Sequence, residues 1–189
     1  VKYLVLQRGF KWKRNAMRSI DAANYIIANC SDKMRLTNLS LNKLVYFGQV
    51  ESLRMFGRPL FNDRVEAWEH GPVEPAVYRA FKGRGRSAIC VPAASGDCPR
   101  ATDEEGAAID SAVSKYGDLT AYDLVELSHR DGGAWKSKYA AGENVEITVG
   151  DIRSSRDFTS EPDFSRTLLA DIESVERDWS NTLKMLGDA

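Results

Sequence analysis

The chain has 189 residues, of which 43% are hydrophobic and 28% charged, and its formal net charge is −1. A chain of this length and composition can fold as one compact domain, or one domain with a tail, without disulfides or metals. No apolar run approaches the roughly 20 residues that cross a bilayer, so we expect no membrane association. The three cysteines form no CxxC pair, which favours a reducing compartment. The sequence therefore predicts a soluble cytoplasmic protein.

Positive charge is concentrated at the start of the chain. Residues 1–20 hold several lysines and arginines and no acidic residue, whereas the rest of the chain is net acidic. A basic arm can bind phosphates or anionic surfaces. The alternative is that residues 1–16 are an upstream extension, disordered or not native to the domain, with Met17 as an alternative start. We therefore treat 1–18 as a basic N-terminal extension.

Two helices are predicted first, over 19–30 and 38–57. The second has the strongest pattern in the chain, with Thr37 or Asn38 available as its cap and Gly57 as its left-handed end. It is apolar on two stripes, so we expect a central helix packed on more than one side. The first stripe comprises Leu41, Leu44, Val45, Gly48, Ser52, Met55 and Phe56, and the second comprises Leu39, Tyr46, Val50 and Leu53.

A short period-2 pattern closed by a Gly-Pro pair predicts a β-strand or ribbon near 61–70. Further helices are predicted over about 73–82, 102–116, 120–130 and 163–186, and a linker rich in Gly, Pro, Ser and Ala over 83–101. Residues 145–152 fit either a strand or a helix start. We expect a mainly α, compact helical domain over 19–138, followed by a C-terminal extension, 139–189, that ends in an amphipathic helix.

The sequence contains no pattern typical of a catalytic or metal site. Its two histidines, His70 and His129, have no Gly-x-Ser-x-Gly motif or zinc-ligand spacing near them. Cys30 lies on the apolar side of a helix, and Cys90 and Cys98 fall in the linker. We therefore predict no catalytic residue, no cofactor, no metal site and no enzymatic activity.

A helix-turn-helix is the alternative that the sequence leaves open, because a short turn, 117–119, joins two of the predicted helices. A recognition helix needs Arg, Lys, Asn or Gln facing the base edges. The second helix, "AYDLVELSHR", is expected to expose Asp123 and Glu126 instead, which phosphates would repel. Nucleic-acid binding is thus disfavoured, and a DNA-binding transcriptional regulator would have to rely on the basic arm.

Aromatic residues are concentrated in 37–82, and the order of motifs in this segment is distinctive. A helix with a Leu-x-Lys-Leu-x-Tyr-Phe motif is followed by Gly-x-Pro-Leu-Phe, an acidic-aromatic strand, a Gly-Pro-Val corner and a Pro-x-x-Tyr helix. The residues are Leu41, Lys43, Leu44, Tyr46, Phe47, Gly57, Pro59, Leu60, Phe61, Glu66, Ala67, Trp68, Gly71, Pro72, Val73, Pro75 and Tyr78. A second block, "LVELSHRDGGAWK", adds Leu127, Ser128, His129 and Trp135.

This combination resembles the Panacea-domain family, the SocA-like antitoxins of bacterial and phage type II toxin–antitoxin systems, over about 19–138. The resemblance implies a non-enzymatic antitoxin that neutralises a toxin encoded by an adjacent gene through direct contact. It also implies a role as an adaptor for an ATP-dependent protease, since one member of the family acts in this way.

The candidate binding or family-motif residues are Lys43, Tyr46, Trp68, His70, Gly71, Pro72, Tyr78, His129 and Trp135. Trp68, His70 and Trp135 suit interface anchors, because each joins an apolar body to a hydrogen-bonding group. The alternative is structural: Trp68 and Trp135 pack together in the core, and His70 holds down the Gly-Pro loop. Lys43 and Tyr46 fit internal polar anchors. The binding surface itself could lie on this scaffold or beyond residue 139.

Overall fold

A computed structural model of the protein describes residues 17–96 and 101–165, together with positions 167, 168 and 172. The fold is mainly α with one small sheet, as the sequence predicts. The helices are α1 (Ser19–Cys30), α2 (Asn38–Phe56), α3 (Pro75–Phe81), α4 (Asp103–Tyr116), α5 (Ala121–Ser128), α6 (Ala134–Lys138), α7 (Val149–Ser154) and α8 (Arg156–Thr159). The strands are β1 (Val65–Trp68), β2 (Gly71–Val73) and β3 (Val145–Ile147).

Helix α2 lies at the centre of the core. The Thr37 side chain accepts a hydrogen bond from the backbone of Ser40, and Gly57 ends the helix in a left-handed conformation with φ 67°. Every residue from Ser40 to Leu53 is buried, because α1, α3, α4 and α5 all pack against this helix. Met55 is the exception to the predicted stripe: it is 47% exposed, at the second-to-last residue of the helix.

Polar side chains inside the core join α2 to its neighbours. The Gln49 amide accepts hydrogen bonds from the backbone of Leu60 and Phe61 and donates one back to the Phe61 carbonyl. Glu51, which is 1% exposed, accepts bonds from Lys115 at 2.8 Å and Ser111 at 3.0 Å on α4. These contacts satisfy groups that would otherwise be costly to bury.

The sheet has the order β2-β1-β3 and is antiparallel throughout. Strands β1 and β2 form the predicted ribbon, in which Trp68 pairs with Gly71 across a tight turn. Strand β3 pairs with the other edge of β1, with Val65 opposite Ile147. The ambiguous stretch 145–152 contains both expected elements, because Thr148 ends the strand and caps α7.

Residues 145–159, beyond the predicted domain limit at 138, pack on the same core. Ile147 and Ile152 are buried with it, and the Arg54 side chain donates a 3.1 Å bond to the carbonyl of Phe158. In the predicted linker, Ile89 is also buried, and its backbone amide bonds the Leu36 carbonyl. The division into 19–138 and 139–189 stays a prediction.

Several predicted features lie outside the described residues. These are the basic arm up to residue 16, Cys98, and the C-terminal amphipathic helix apart from positions 167, 168 and 172. Met17 is described: it is buried and forms a β-bridge with Phe61. Within the described part of the chain, no helix combines the length and apolar character needed to cross a bilayer.

Candidate functional site

The family-motif residues meet where the β1–β2 ribbon and α3 lie over α2, beside the junction of α5 and α6. We call this region, residues 66–78 with 128–135 and Lys43, the hairpin corner. It gathers eight of the nine candidate residues, and Tyr46 lies beneath it in the core. Two kinds of contact form the corner. One is a close approach of the backbone to buried side chains, and the other is the packing of aromatic rings in two groups.

Gly71 makes the close approach. Its φ is +99°, and a β-carbon placed on it would lie 2.5 Å from Ser128 Oγ and 2.6 Å from Lys43 Cε. Lys43 is wholly buried, and its Nζ donates a 2.9 Å hydrogen bond to the carbonyl of Pro72. The Gly-Pro turn can therefore pack this closely on Lys43 only because residue 71 is a glycine. The Lys43 hydrogen bond then holds the turn in place.

Lys43 shares this buried space with Glu74, which is 0% exposed and whose carboxylate oxygens have no hydrogen-bond partner among the described residues. Burial lowers the pKa of Lys43 to about 7, and Glu74 partly offsets this. Burial likewise raises the pKa of Glu74 to about 8, with Lys43 opposing the shift. Each group therefore stabilises the charged form of the other in a site that disfavours both charges.

Trp135 is the centre of an aromatic stack. Its ring lies 3.6 Å from that of His129, nearly parallel, and 4.7 Å from that of Tyr139. Its Nε1 donates a 2.7 Å bond to the backbone carbonyl of Trp68, which ties α6 to the ribbon. Trp135 is only 4% exposed, so it fits the structural alternative.

His129 is held in an environment that disfavours its charge. Its Nε2 is buried and forms no hydrogen bond within the part of the chain that the structure describes. Burial, with Lys43 and Lys136 nearby, lowers the pKa of His129 to about 4, so the ring is neutral at physiological pH. The ring therefore contributes to the corner by stacking.

The outer edge of the hairpin corner carries Trp68, Tyr78 and His70. Trp68 is half-buried, meets Tyr78 edge-on at 4.8 Å, and donates a 2.8 Å bond to Glu66. Tyr78 is 37% exposed. His70 is exposed, and its ring forms no hydrogen bond with any described residue. The Gly-Pro turn is thus held by Lys43 and not by His70. Trp135 and Trp68 are joined by the hydrogen bond from the Trp135 ring to the Trp68 backbone carbonyl.

Tyr46 belongs to a separate buried network. Its hydroxyl donates a 2.6 Å bond to Asp157, which also accepts bonds from Arg130 Nε at 3.0 Å and from the backbone of Ala134 at 2.9 Å. Burial, followed by the Asp157 charge, raises the pKa of Tyr46 well above its ordinary value. Tyr46 is thus a buried, hydrogen-bonded residue, which is compatible with the structural role that the sequence indicates as one interpretation.

The sequence gives no signal for the partners of these anchors. Asp157 lies on a segment that no motif singles out, Arg130 falls within the second motif block but is not among its candidate residues, and Glu74 is recognisable only as the residue before a helix-starting proline. The prediction that Asp123 faces solvent is wrong, because this residue is only 2% exposed. It accepts bonds from Thr120 and from the backbone of Leu168, so capping and a tertiary contact turn it inward.

A groove with a volume of about 960 Å³ adjoins the hairpin corner, with His70 at its rim. It runs between the start of α2, the α4–α5 turn and α5. Its apolar surface comes from Leu39, Leu44, Leu119, Tyr122, Leu124 and Val125. The sequence contains these residues as helical stripes but gives no sign of the groove, because its walls come from elements far apart in the chain.

No cluster of three or more His, Cys, Asp or Glu side chains suited to a metal ion occurs in 17–96, 101–165 or the three further described positions. Cys30 is buried, and burial raises the pKa of its thiol, which makes it a poor nucleophile.

Comparison with known proteins identifies one family. The family described as "Antitoxin SocA-like, Panacea domain" matches residues 41–136, from Leu41 near the start of α2 to Lys136 in α6. The "Antitoxin SocA" of Caulobacter vibrioides (strain NA1000 / CB15N) is 39% identical over 111 residues, which cover 53% of this chain and 58% of that protein. The match thus spans less than two thirds of the relative's length. No solved structure gives a significant match.

Proposed function

Because this chain belongs to the family of SocA-like antitoxins with a Panacea domain, we propose that it neutralises a cognate toxin by direct protein–protein contact. The toxin is the product of an adjacent gene, and the complex acts in the cytoplasm. The observation that carries the proposal is the family match over 41–136, which includes all of the hairpin corner. The role is non-enzymatic.

The hairpin corner supports this proposal because it combines a rigid base with an accessible aromatic edge. Lys43, Gly71 and Trp135 fix the turn from below. Trp68, Tyr78 and His70 lie at its outer edge, where they are half-buried or exposed. Rings that are already positioned lose little conformational freedom on binding and often dominate interface energies. We propose that this edge contributes to toxin binding.

Delivery of the bound toxin to an ATP-dependent protease is the second step of the proposal. It would remove the toxin irreversibly, whereas binding alone inhibits it only while the antitoxin is present. The half-life of the toxin in growing cells distinguishes the two steps. Under the adaptor role, the toxin is short-lived only when both this chain and the protease are present.

The neutralisation proposal is tested by expressing the adjacent open reading frame with and without this chain. We expect growth arrest when the neighbour is expressed alone, recovery on co-expression, and a stable complex when the two purified proteins are mixed. A harmless neighbour, or recovery without any complex, would remove the basis of the proposal.

The contribution of the corner is tested with Trp68→Ala and Tyr78→Ala. We expect each to weaken the complex, since interface aromatics typically contribute about 1–3 kcal/mol or more. Met55→Ala is the matched control, because Met55 is 47% exposed at the far end of α2. Equal affinity of all three variants, at normal stability, would place the contact elsewhere on the protein.

A further inference from the structure

We infer that the 960 Å³ groove beside the hairpin corner is a docking site for an acidic segment of the partner polypeptide, anchored by apolar side chains. This inference rests on the proposed function, because the partner is the toxin. It adds the place where the toxin binds and the chemistry of the segment that enters.

The groove offers an apolar surface that the fold itself does not cover. Leu44 and Leu124 form its floor and are each 1% exposed, while Leu39 and Val125 are partly exposed on its walls. Tyr122 lies at its edge with 69% of its surface exposed, the largest value among the exposed large hydrophobic residues described. A concave apolar surface with an exposed tyrosine at its edge is typical of a binding site.

The rim of the groove is basic. Lys33, Arg35 and Arg86 are exposed there, and none of the three forms an ion pair with any residue in the described part of the chain. Arg35 reaches across the rim and donates a 3.2 Å bond to the backbone carbonyl of Arg86. Asp118 is the one acidic side chain among the described lining residues. In a chain whose net charge is −1, this local excess of cations is complementary to carboxylates.

The same features disfavour other occupants. Nucleic acid needs convergent cations and hydrogen-bonding groups for its phosphates and bases, and the groove floor consists of leucines. The chain's own basic arm, 1–16, would bring like charge to the basic rim. Residues 169–189 include acidic and apolar side chains, so this segment of the chain is an alternative occupant of the groove. The experiment must distinguish it from a segment of the toxin.

His70 makes the groove continuous with the outer edge of the hairpin corner, because it belongs to the β1–β2 turn and also lines the groove. One partner can therefore cover Trp68 and Tyr78 while inserting a segment between α2 and α5. This continuity is the reason for assigning both surfaces to the same toxin.

The test uses the full chain and the purified product of the adjacent gene. We expect Tyr122→Ala and Arg86→Glu each to weaken binding about tenfold in calorimetry, because one removes an exposed ring and the other reverses a rim charge. The matched controls are Met55→Ala and Arg84→Glu. Arg84 is exposed two residues from Arg86 and does not line the groove, so both controls should bind within about twofold of the wild type.

The outcomes separate the two proposals. If the wild-type chain does not bind the neighbouring product, the proposed function fails. If the wild type binds and the groove variants bind equally well, the groove inference alone is overturned.

A photoreactive phenylalanine in place of Tyr122 identifies the occupant directly. Cross-linking to a toxin segment containing Asp or Glu beside apolar residues supports the inference. Cross-linking within the chain, to a second copy, or to a toxin segment without acidic residues overturns it.

Discussion

The Tyr46 hydroxyl donates a 2.6 Å hydrogen bond to Asp157, 111 residues further along the chain. Tyr46 belongs to the segment that matches the family, whereas Asp157 lies beyond its end at 136. Asp157 is fully buried and also accepts bonds from Arg130 and the backbone of Ala134. The single carboxylate therefore joins α2, the α5–α6 junction and α8.

Removing this carboxylate should destabilise the domain more than removing the hydroxyl. Tyr46→Phe leaves Asp157 with its other donors, so we expect a loss of about 1–2 kcal/mol. Asp157→Ala leaves a buried hydroxyl, a backbone amide and part of Arg130 without an acceptor, for a loss of about 3–5 kcal/mol. Urea denaturation measures both. Glu161→Ala, which removes a carboxylate that is 78% exposed, should change stability by less than about 0.5 kcal/mol.

The network also predicts a difference in proteolysis. In Asp157→Ala, the segment after residue 139 should be cleaved faster than in the wild type, because it loses its hydrogen bonds to Tyr46, Arg130 and Ala134. Equal stability of Tyr46→Phe and Asp157→Ala, or unchanged cleavage, would show that other contacts, such as the bond from Arg54 to the Phe158 carbonyl, are sufficient to hold α7 and α8.

Gly71 should tolerate no side chain. Gly71→Ala places a β-carbon at φ +99° and within 2.6 Å of two buried side chains, so strain and overpacking together should cost about 3 kcal/mol or more. Gly57→Ala is the matched control, since its φ is +67° but no atom lies within 4 Å of the added carbon. We expect it to cost about 1 kcal/mol. Similar thermal denaturation curves for the two variants would contradict the close packing of the corner on Lys43.

Lys43 and Glu74 should behave as a coupled pair in a double-mutant cycle. Lys43→Met and Glu74→Gln preserve volume, and each alone should cost about 3 kcal/mol near neutral pH, because it leaves the other charge uncompensated. The double variant should lose less than the sum of the two. Additive losses would mean that the two groups do not interact.

The two single variants should also respond to pH in opposite directions. In Lys43→Met, the remaining Glu74 has a raised pKa, so stability is lost as pH rises above the ordinary value of 4.5 toward and beyond 8. In Glu74→Gln, the remaining Lys43 has a lowered pKa, so stability is lost as pH falls from 10.5 toward 7. Unfolding free energies measured at pH 6 and pH 9 should therefore change with opposite sign.

Much of the helical framework can be predicted from local sequence. Thr37 and Gly57 bound the central helix, and Thr102 and Thr120 cap α4 and α5, because capping depends on residues only three positions apart. The β1–β2 ribbon follows from alternation and a Gly-Pro corner. The resemblance then identifies the family, as the match over 41–136 confirms.

The remainder depends on contacts between distant segments. No local pattern pairs β3 with β1 or Asp157 with Tyr46, since such partners are chosen by the packing of the whole domain. For Asp123, the capping role can be recognised in the sequence because Thr120 lies three residues earlier. Its burial could not be predicted, because it depends on a contact with Leu168. Eight of the nine candidate residues meet at the hairpin corner, whereas their exposure depends on this packing and could not be predicted from the sequence.

His129 should make the protein less stable in mild acid. Its folded-state pKa is about 4 against an ordinary value of 6.5, so the unfolded chain binds the proton more tightly between these values. Stability from this residue is complete above pH 6.5 and is lost as pH falls toward 4. Because the ring is half-buried, we expect a loss of about 1–2 kcal/mol over this window.

His129→Phe isolates this effect because it keeps the stack on Trp135 and removes the titrating ring. At pH 7 the variant should be at least as stable as the wild type, since Nε2 is buried and no described residue bonds to it. The difference between the two proteins should grow in favour of the variant as pH falls from 6.5 to 4, whereas carboxylates that titrate in the same range affect both equally. His70→Gln, which changes an exposed ring, should keep most of the wild-type slope. A constant difference between wild type and His129→Phe across the window would contradict the lowered pKa of His129 in the folded protein.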